Sequence, residues 1–387
     1  MNDPSRPVLP AEAEVDLRAI SANVASLTRH APSAEVMAVV KADAYGHGLE
    51  PSARAARAGG ATWLGVAQIA EALRLRAAGD TGRVLSWLHV PGDAFTDAVA
   101  ADVDLSANAT WGVDEIAAAA RAAGRTARVH LKIDTGLSRA GASADDWPAL
   151  VDHALTAQAD GLLEVVGIWS HLAWADDPKH PTTDRQAEAF EAALDVAHAR
   201  GARPEVRHLA NSAAALTRPD LHYDLVRPGL AVYGLSPVPD LGGPADFGLR
   251  PAMTLRARLA LVKQVPAGSG VSYGHAYTTP RATTLGLVPL GYGDGVPRAA
   301  GNCGPIWVAG RRHTIAGRVS MDQVVVDLDG RPDVAEVRAG DLVVLFGDGR
   351  DGQPTAQDWA EAVDTISYEI VTRIGSRVPR TYLDAGS

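Results

Sequence analysis

The stretch Glu35-Val36-Met37-Ala38-Val39-Val40-Lys41-Ala42-Asp43-Ala44-Tyr45-Gly46-His47-Gly48 decides the fold. Val36 to Val40 is apolar, partly β-branched and too short for a helix, so it reads as a buried strand, and Gly46 and Gly48 break the pattern in a turn. Lys41 therefore stands at the carboxyl end of a strand. An ammonium buried among apolar neighbours loses solvation and its pKa falls, which suits an amine that forms Schiff bases or shuttles protons. The other reading of the same residue is a lysine snorkelling out of a strand end.

Outward from this segment, as far as about Gly229, short apolar runs alternate with alanine-rich amphipathic stretches, the signature of repeated βα units on a parallel sheet. Seven more strand candidates follow: Trp63 to Val66, Val84 to Leu88, Val103 to Ser106, Val129 to Ile133, Val165 to Trp169, Val206 to Leu209 and Tyr223 to Val226. Helix candidates lie between them, among them Pro51 to Ala58, Ile69 to Ala78, Val113 to Ala123 and Thr183 to Ala199. Eight such units predict an α/β fold, a (β/α)8 TIM-type barrel rather than a doubly wound sheet. Polar residues follow the strand ends, where barrel enzymes collect their chemistry: Lys41, then Lys132, Asp134 and Arg139, then His171, then Asn211 and Ser212, then Arg227 and Gly229. After about Pro251 the pattern changes to alternating strands with Gly- and Pro-rich turns, which predicts a compact, mostly-β second domain; Ala356 to Arg373 reads as a helix.

Composition narrows the function. A chain of 387 residues exceeds what one core organises, so two domains are expected. The formal net charge of -10 argues against a nucleic-acid or anionic-membrane surface and for a small-molecule enzyme. The single cysteine, Cys303, excludes an intrachain disulfide framework and suits a reducing compartment, so a cytoplasmic protein is expected. No apolar run is long enough to span a bilayer, and the histidines do not fall at zinc spacings, so neither a membrane nor a metal is expected.

Asn211-Ser212 ahead of Ala213-Ala214-Ala215 reads as a strand-to-helix turn whose N–H groups and hydroxyl could hold a phosphate, or as a plain helix cap at Ser212. Arg227-Pro228-Gly229 adds a backbone that a ligand can approach closely. A lysine and an anion site in one barrel mouth suggest pyridoxal phosphate; a Schiff-base aldolase on a phosphorylated sugar would need the same pair. Taken alone, His171 reads as a core histidine and Tyr273 as a loop aromatic.

Six segments, Ala38 to Gly48, His130 to Gly136, Arg227 to Leu230, Val271 to Gly274, Gly317 to Gln323 and Arg377 to Arg380, together resemble the alanine racemases, in order and across nearly the whole chain. The resemblance implies a pyridoxal-5'-phosphate-binding barrel at 8–246 and a C-terminal β domain at 247–387 that contributes to the active site of a partner in a homodimer. It implies interconversion of L- and D-alanine through an aldimine, supplying D-alanine for cell-wall peptidoglycan. The alternatives are a serine or broad-specificity racemase and a non-catalytic carrier of the cofactor. Carried over by position, Lys41 is the aldimine lysine and one catalytic base, and Tyr273 of the partner is the other. Two bases are needed because the Cα proton leaves one face of a planar carbon and another arrives on the opposite face. By the same resemblance Tyr45, His171, Asn211, Ser212, Arg227, Gly229, Leu230 and Tyr368 bind the cofactor, and Arg139, Met321 and Tyr292 bind substrate. Lys132 matches a position open to carbamylation.

Overall fold

The apolar runs of the first two-thirds of the chain become parallel strands in the computed structural model, which describes residues 9–329 and 337–383. In chain order the first nine strands are β1 (Ala11–Asp16), β2 (Glu35–Val39), β3 (Trp63–Val66), β4 (Arg83–Ser86), β5 (Asp104–Ala107), β6 (Ala127–Lys132), β7 (Leu163–Trp169), β8 (Val206–His208) and β9 (Leu225–Val226). The chain divides into two units. One comprises Ala19–Ala44 and Gly48–Leu249; the other comprises Met1–Arg18, Tyr45–His47 and Arg250–Ser387.

The first unit is the barrel. Strands β2 to β9 form one sheet in the order β8-β7-β6-β5-β4-β3-β2-β9, every pair parallel. Its edges meet through the Asp224 N–H, which donates to the Arg207 carbonyl at 3.1 Å, and the Arg227 N–H, which donates to Ala210 at 2.9 Å. Strands covered on both faces read as continuous apolar runs, which is why Leu64, Leu85, Leu105, Val129 and Leu131 are all fully buried. Met37, Trp63, Leu85, Val206 and Leu225, with Trp87 against them, form a buried cluster. In β6 and β7 the register slips: Val129 pairs with Val165 but His130 with Gly167, leaving Val166 as an extra residue.

The second unit is rich in strands. Its six-stranded sheet runs Arg311–Thr314, Pro305–Val308, Leu342–Phe346, Met253–Arg258, β1, Arg380–Leu383. Strand β1 lies antiparallel to Met253–Arg258 and parallel to Arg380–Leu383, so the beginning of the described chain is held between two segments far along it. A smaller sheet joins Leu261–Val265, Thr283–Val288 and Val324–Asp327. The helix expected over Ala356 to Arg373 is two helices, Ala356–Ala362 and Ser367–Thr372. Asp364, at φ 54°, turns the chain between them. Among the described residues no helix is long and apolar enough to cross a membrane.

Candidate active site

Lys41 follows β2, and the backbone beyond it takes an unusual path. Ala42, Asp43, Ala44 and Tyr45 have φ of 54°, 53°, 55° and 54°, four left-handed residues in succession. L-residues avoid this region at a cost of roughly 1–2 kcal/mol each. Local bonds hold the turn: the Ala42 N–H donates to Glu71 Oε1 at 2.6 Å, and Asp43 Oδ1 accepts from the Leu49 N–H at 3.0 Å. Gly46, at φ 81°, is needed because a Cβ there would lie 2.6 Å from the Val371 carbonyl oxygen.

Around Lys41 the barrel mouth gathers cations. Burial lowers the Lys41 ammonium, Arg139 lowers it further, and Arg227 adds to that against the opposing pull of Glu71. Its Nζ lies 5.9 Å from the centre of the Trp87 ring. Lys132, the last residue of β6, is pushed down to about 7, by burial first and then by Arg227 and Arg139, with Asp134 opposing. Its Nζ sits 4.2 Å from the centre of the Trp169 ring. Asp134 shapes the loop that carries Arg139, since its Oδ1 accepts from the N–H groups of Gly136, Leu137 and Ser138 at 2.9, 3.0 and 3.1 Å.

Arg227, just past β9, is buried, and burial pushes its guanidinium down to about 9. It is therefore a cation at neutral pH. Its Nη2 donates to the Ser170 carbonyl at 2.8 Å and reaches His171 Nδ1 at 3.3 Å; Nη1 reaches His208 Nδ1 at 3.2 Å. Burial and then Arg227 hold His171 well below its usual range. The neutral imidazole of His171 thus accepts from Arg227.

The helix Ser212–Thr217 is capped by Asn211, whose Oδ1 accepts from the Ala214 N–H at 3.1 Å, so the cap is not Ser212. The Ser212 hydroxyl instead accepts from the N–H groups of Gly229 and Ala231, at 2.8 and 3.3 Å, and ties the Leu230–Tyr233 turn to this helix. Asn211, Ser212, Arg227, Gly229 and Leu230 are thereby brought into one corner of the barrel.

The remaining candidates lie in the strand-rich unit. Tyr45 and Tyr368 pack with ring centres 6.2 Å apart, and burial pushes the Tyr45 hydroxyl up. The Tyr292 N–H donates to Ser320 and the Gly293 N–H to Met321, at 3.0 and 2.8 Å, so Tyr292 and Met321 adjoin. Tyr273 is 69% exposed, in a turn fixed by Ser272, whose hydroxyl donates to the Arg318 carbonyl at 2.6 Å.

Sequence reasoning missed the polar interior of the barrel: Asp104, His130 and His208 are buried and bonded to one another. The signal was there, in that Asp104 and Ser106 on β5 and His130 and Lys132 on β6 are polar residues two apart in apolar strands, which places them on one face. Among the described residues no three His, Cys, Asp or Glu side chains are arranged to hold a metal ion.

A buried amine whose ammonium is lowered, set among guanidiniums at the carboxyl ends of a parallel barrel, defines an enzyme of covalent-amine chemistry that takes an anionic ligand. The chain belongs to the alanine racemase family. The family's N-terminal domain matches residues 15–237 and its C-terminal domain residues 252–382. An alanine racemase from Streptomyces coelicolor is 59% identical over 97% of this chain and 97% of its own length. One from Salinispora arenicola is 60% identical over 96% of this chain and 98% of its own length. Among solved structures, alanine racemase from D-cycloserine-producing Streptomyces lavendulae superposes with a TM-score of 0.96 at 56% identity, covering 98% of each chain. The Streptomyces coelicolor structure gives 0.95 at 59% identity over 97% of this chain and 99% of that one.

Proposed function

We propose that this protein interconverts L- and D-alanine with pyridoxal phosphate as cofactor, and so supplies D-alanine for peptidoglycan. The observation that carries the reading is Lys41: an amine at a strand's end whose ammonium is lowered by burial and by Arg139. Family membership over both domains supports it.

The residues of the barrel mouth fit the cofactor. An aldehyde needs an unprotonated amine, which Lys41 is driven to provide, and a phosphate needs donors without carboxylates. In the corner of Ser212, Gly229 and Leu230 the Ser212 oxygen accepts from Gly229 and Ala231, which leaves the hydroxyl hydrogen to donate beside the Leu230 backbone, and the charges acting on Lys132 are mostly positive. We assign the phosphate to Ser212, Gly229 and Leu230, with Asn211 capping the helix behind them. By family membership Tyr45 and Tyr368 add hydroxyls, and Arg227 faces the cofactor's ring nitrogen. Bound pyridoxal phosphate supplies an aldehyde carbon that links to the substrate amine and a conjugated ring that takes up the electron pair left when Cα loses its proton.

The chain's own part is to hold and move protons. Lys41 takes the Cα proton on one face or returns it there. Tyr273 of the partner subunit does the same on the other, in a homodimer whose sites are shared. A phenol acts as base near neutral pH only in a positive field, which is the sign of the field at the barrel mouth. Arg227 retains its own proton at neutral pH, so with the cofactor bound it would donate a hydrogen bond to the ring nitrogen and would not protonate it. Arg139 and the backbone of Met321 of the partner subunit receive the substrate carboxylate, and Tyr292 limits the side chain to a small one. Lys132, about half neutral at pH 7, is an amine able to take up carbon dioxide; the carbamate would order Arg139 by a charge-assisted bond. The lone cysteine, which excludes an intrachain disulfide, supports a reducing compartment such as the cytoplasm.

Incubation with L-alanine and, separately, L-serine, followed by chiral chromatography, tests the substrate. D-alanine forming faster than D-serine at equal concentration supports the reading; faster inversion of serine would reassign it.

A further inference from the structure

The barrel interior holds an unbroken line of polar side chains that the fold takes trouble to build. Arg227 Nη1 reaches His208 Nδ1 at 3.2 Å, His208 Nε2 reaches His130 Nδ1 at 2.9 Å, and His130 Nε2 reaches Asp104 Oδ2 at 3.3 Å. All four residues are at most 5% exposed. Space for His130 comes from the register slip between β6 and β7, which sets Gly167 opposite it; a Cβ on Gly167 would lie 2.0 Å from His130 Nδ1. Trp169 stacks on His208 with ring centres 5.5 Å apart and planes 8° apart, and Trp63 stands edge-on to His130.

The direction of this line follows from one fact: a guanidinium only donates. His208 Nδ1 must then accept, so the hydrogen of His208 is on Nε2 and is donated to His130 Nδ1. That nitrogen in turn accepts, so the hydrogen of His130 is on Nε2 and is donated to Asp104. Neither imidazole can be a cation, because a second hydrogen on either would face another donor. At the far end Asp104 Oδ1 accepts from Arg128 Nε at 3.1 Å, which fixes the carboxylate; Arg128 is held in turn by Glu205.

We propose that Asp104 and His130 are positioning residues for the racemisation: they fix the His208 hydrogen at Nε2 and so keep His208 Nδ1 as the acceptor that holds the Arg227 guanidinium in place. The line of tautomers stands without the racemase reading, and only its consequence for turnover rests on that reading.

The test is Asp104→Asn in the full-length protein. Arg128 keeps the amide oxygen facing itself, so the amide NH2 faces His130 Nε2. His130 then carries its hydrogen on Nδ1, His208 follows, and a donor meets a donor at Arg227. Side-chain 15N spectra of histidine-labelled protein, prepared with and without pyridoxal phosphate and assigned with His130→Gln, read the tautomers directly. In the wild type both His130 and His208 are expected as neutral Nε2–H forms. In Asp104→Asn both shift to Nδ1–H, and kcat falls by about 100-fold while KM changes less. Adding Arg128→Ala frees the amide to turn its oxygen to His130, returning the Nε2–H forms and part of kcat. A wild type with His208 as Nδ1–H, or with His130 as a cation, overturns the proposal whether or not the variant folds. So does a fall in kcat with tautomers unchanged. Wild-type tautomers as expected in a protein that never inverts alanine would uphold the line and sink the racemase reading.

Discussion

Lys132 shows how a single buried side chain carries a testable charge. Its ammonium is held at about 7 against an ordinary 10.5, by burial first and then by Arg227 and Arg139. Between those two values the unfolded chain binds a proton that the folded one does not, so stability rises with pH across that window; below about pH 7 the cost of the buried charge is felt in full. In buffer free of carbon dioxide, the wild-type Tm is therefore expected to rise from pH 7 to 10 relative to Lys132→Met. Bicarbonate is expected to shrink that difference, since a carbamate no longer titrates as an amine, and 13C-bicarbonate should give a carbamate carbonyl resonance missing from Lys132→Met. A pH profile identical in the two proteins would contradict the charge assigned to Lys132.

At the scale of elements, the contrast between two glycines is instructive. Gly167 in β7 faces His130, whereas Gly112 sits inside the helix Thr110–Ala123, where a Cβ would meet only Ala107 at 3.7 Å. Gly167→Ala is expected to destabilise by about 1–3 kcal/mol, because an inserted methyl has no room. Gly112→Ala should stabilise by about 0.5–1 kcal/mol through helix propensity. Equilibrium denaturation of both variants measures this pair. The same elements show what the sequence discloses. Trp63 to Val66 is a strand with the bounds its apolar run predicts, and the other seven barrel strands lie within a few residues of theirs, because strands buried on both faces cannot hide. Strand β1 could not be seen: Ala11-Glu12-Ala13-Glu14 has little strand propensity and pairs with segments at 253–258 and 380–383. Nor could the left-handed turn after Lys41, which is held by Glu71 from another βα unit.

At the scale of the whole molecule, the candidate site divides into what local sequence marks and what it does not. Lys41, Lys132, His171 and Arg227 were readable because each ends or follows a strand, the place where a barrel exposes chemistry. Tyr273 was readable only through the family resemblance, since a single exposed tyrosine in a turn carries no periodic mark. Shared sites predict that inactive Lys41→Ala and Tyr273→Phe subunits, mixed and allowed to exchange, recover about a quarter of wild-type activity, since half the dimers are mixed and each has one intact site. Exchange shown by mass tagging without recovery would contradict the sharing. The central claim, inversion at Cα by proton removal, is tested most directly by incubating the cofactor-loaded protein with L-alanine in deuterated water and following chirality and Cα deuterium together. The account predicts D-alanine carrying deuterium at Cα; D-alanine that retains protium there, or no inversion with the cofactor bound, would contradict it.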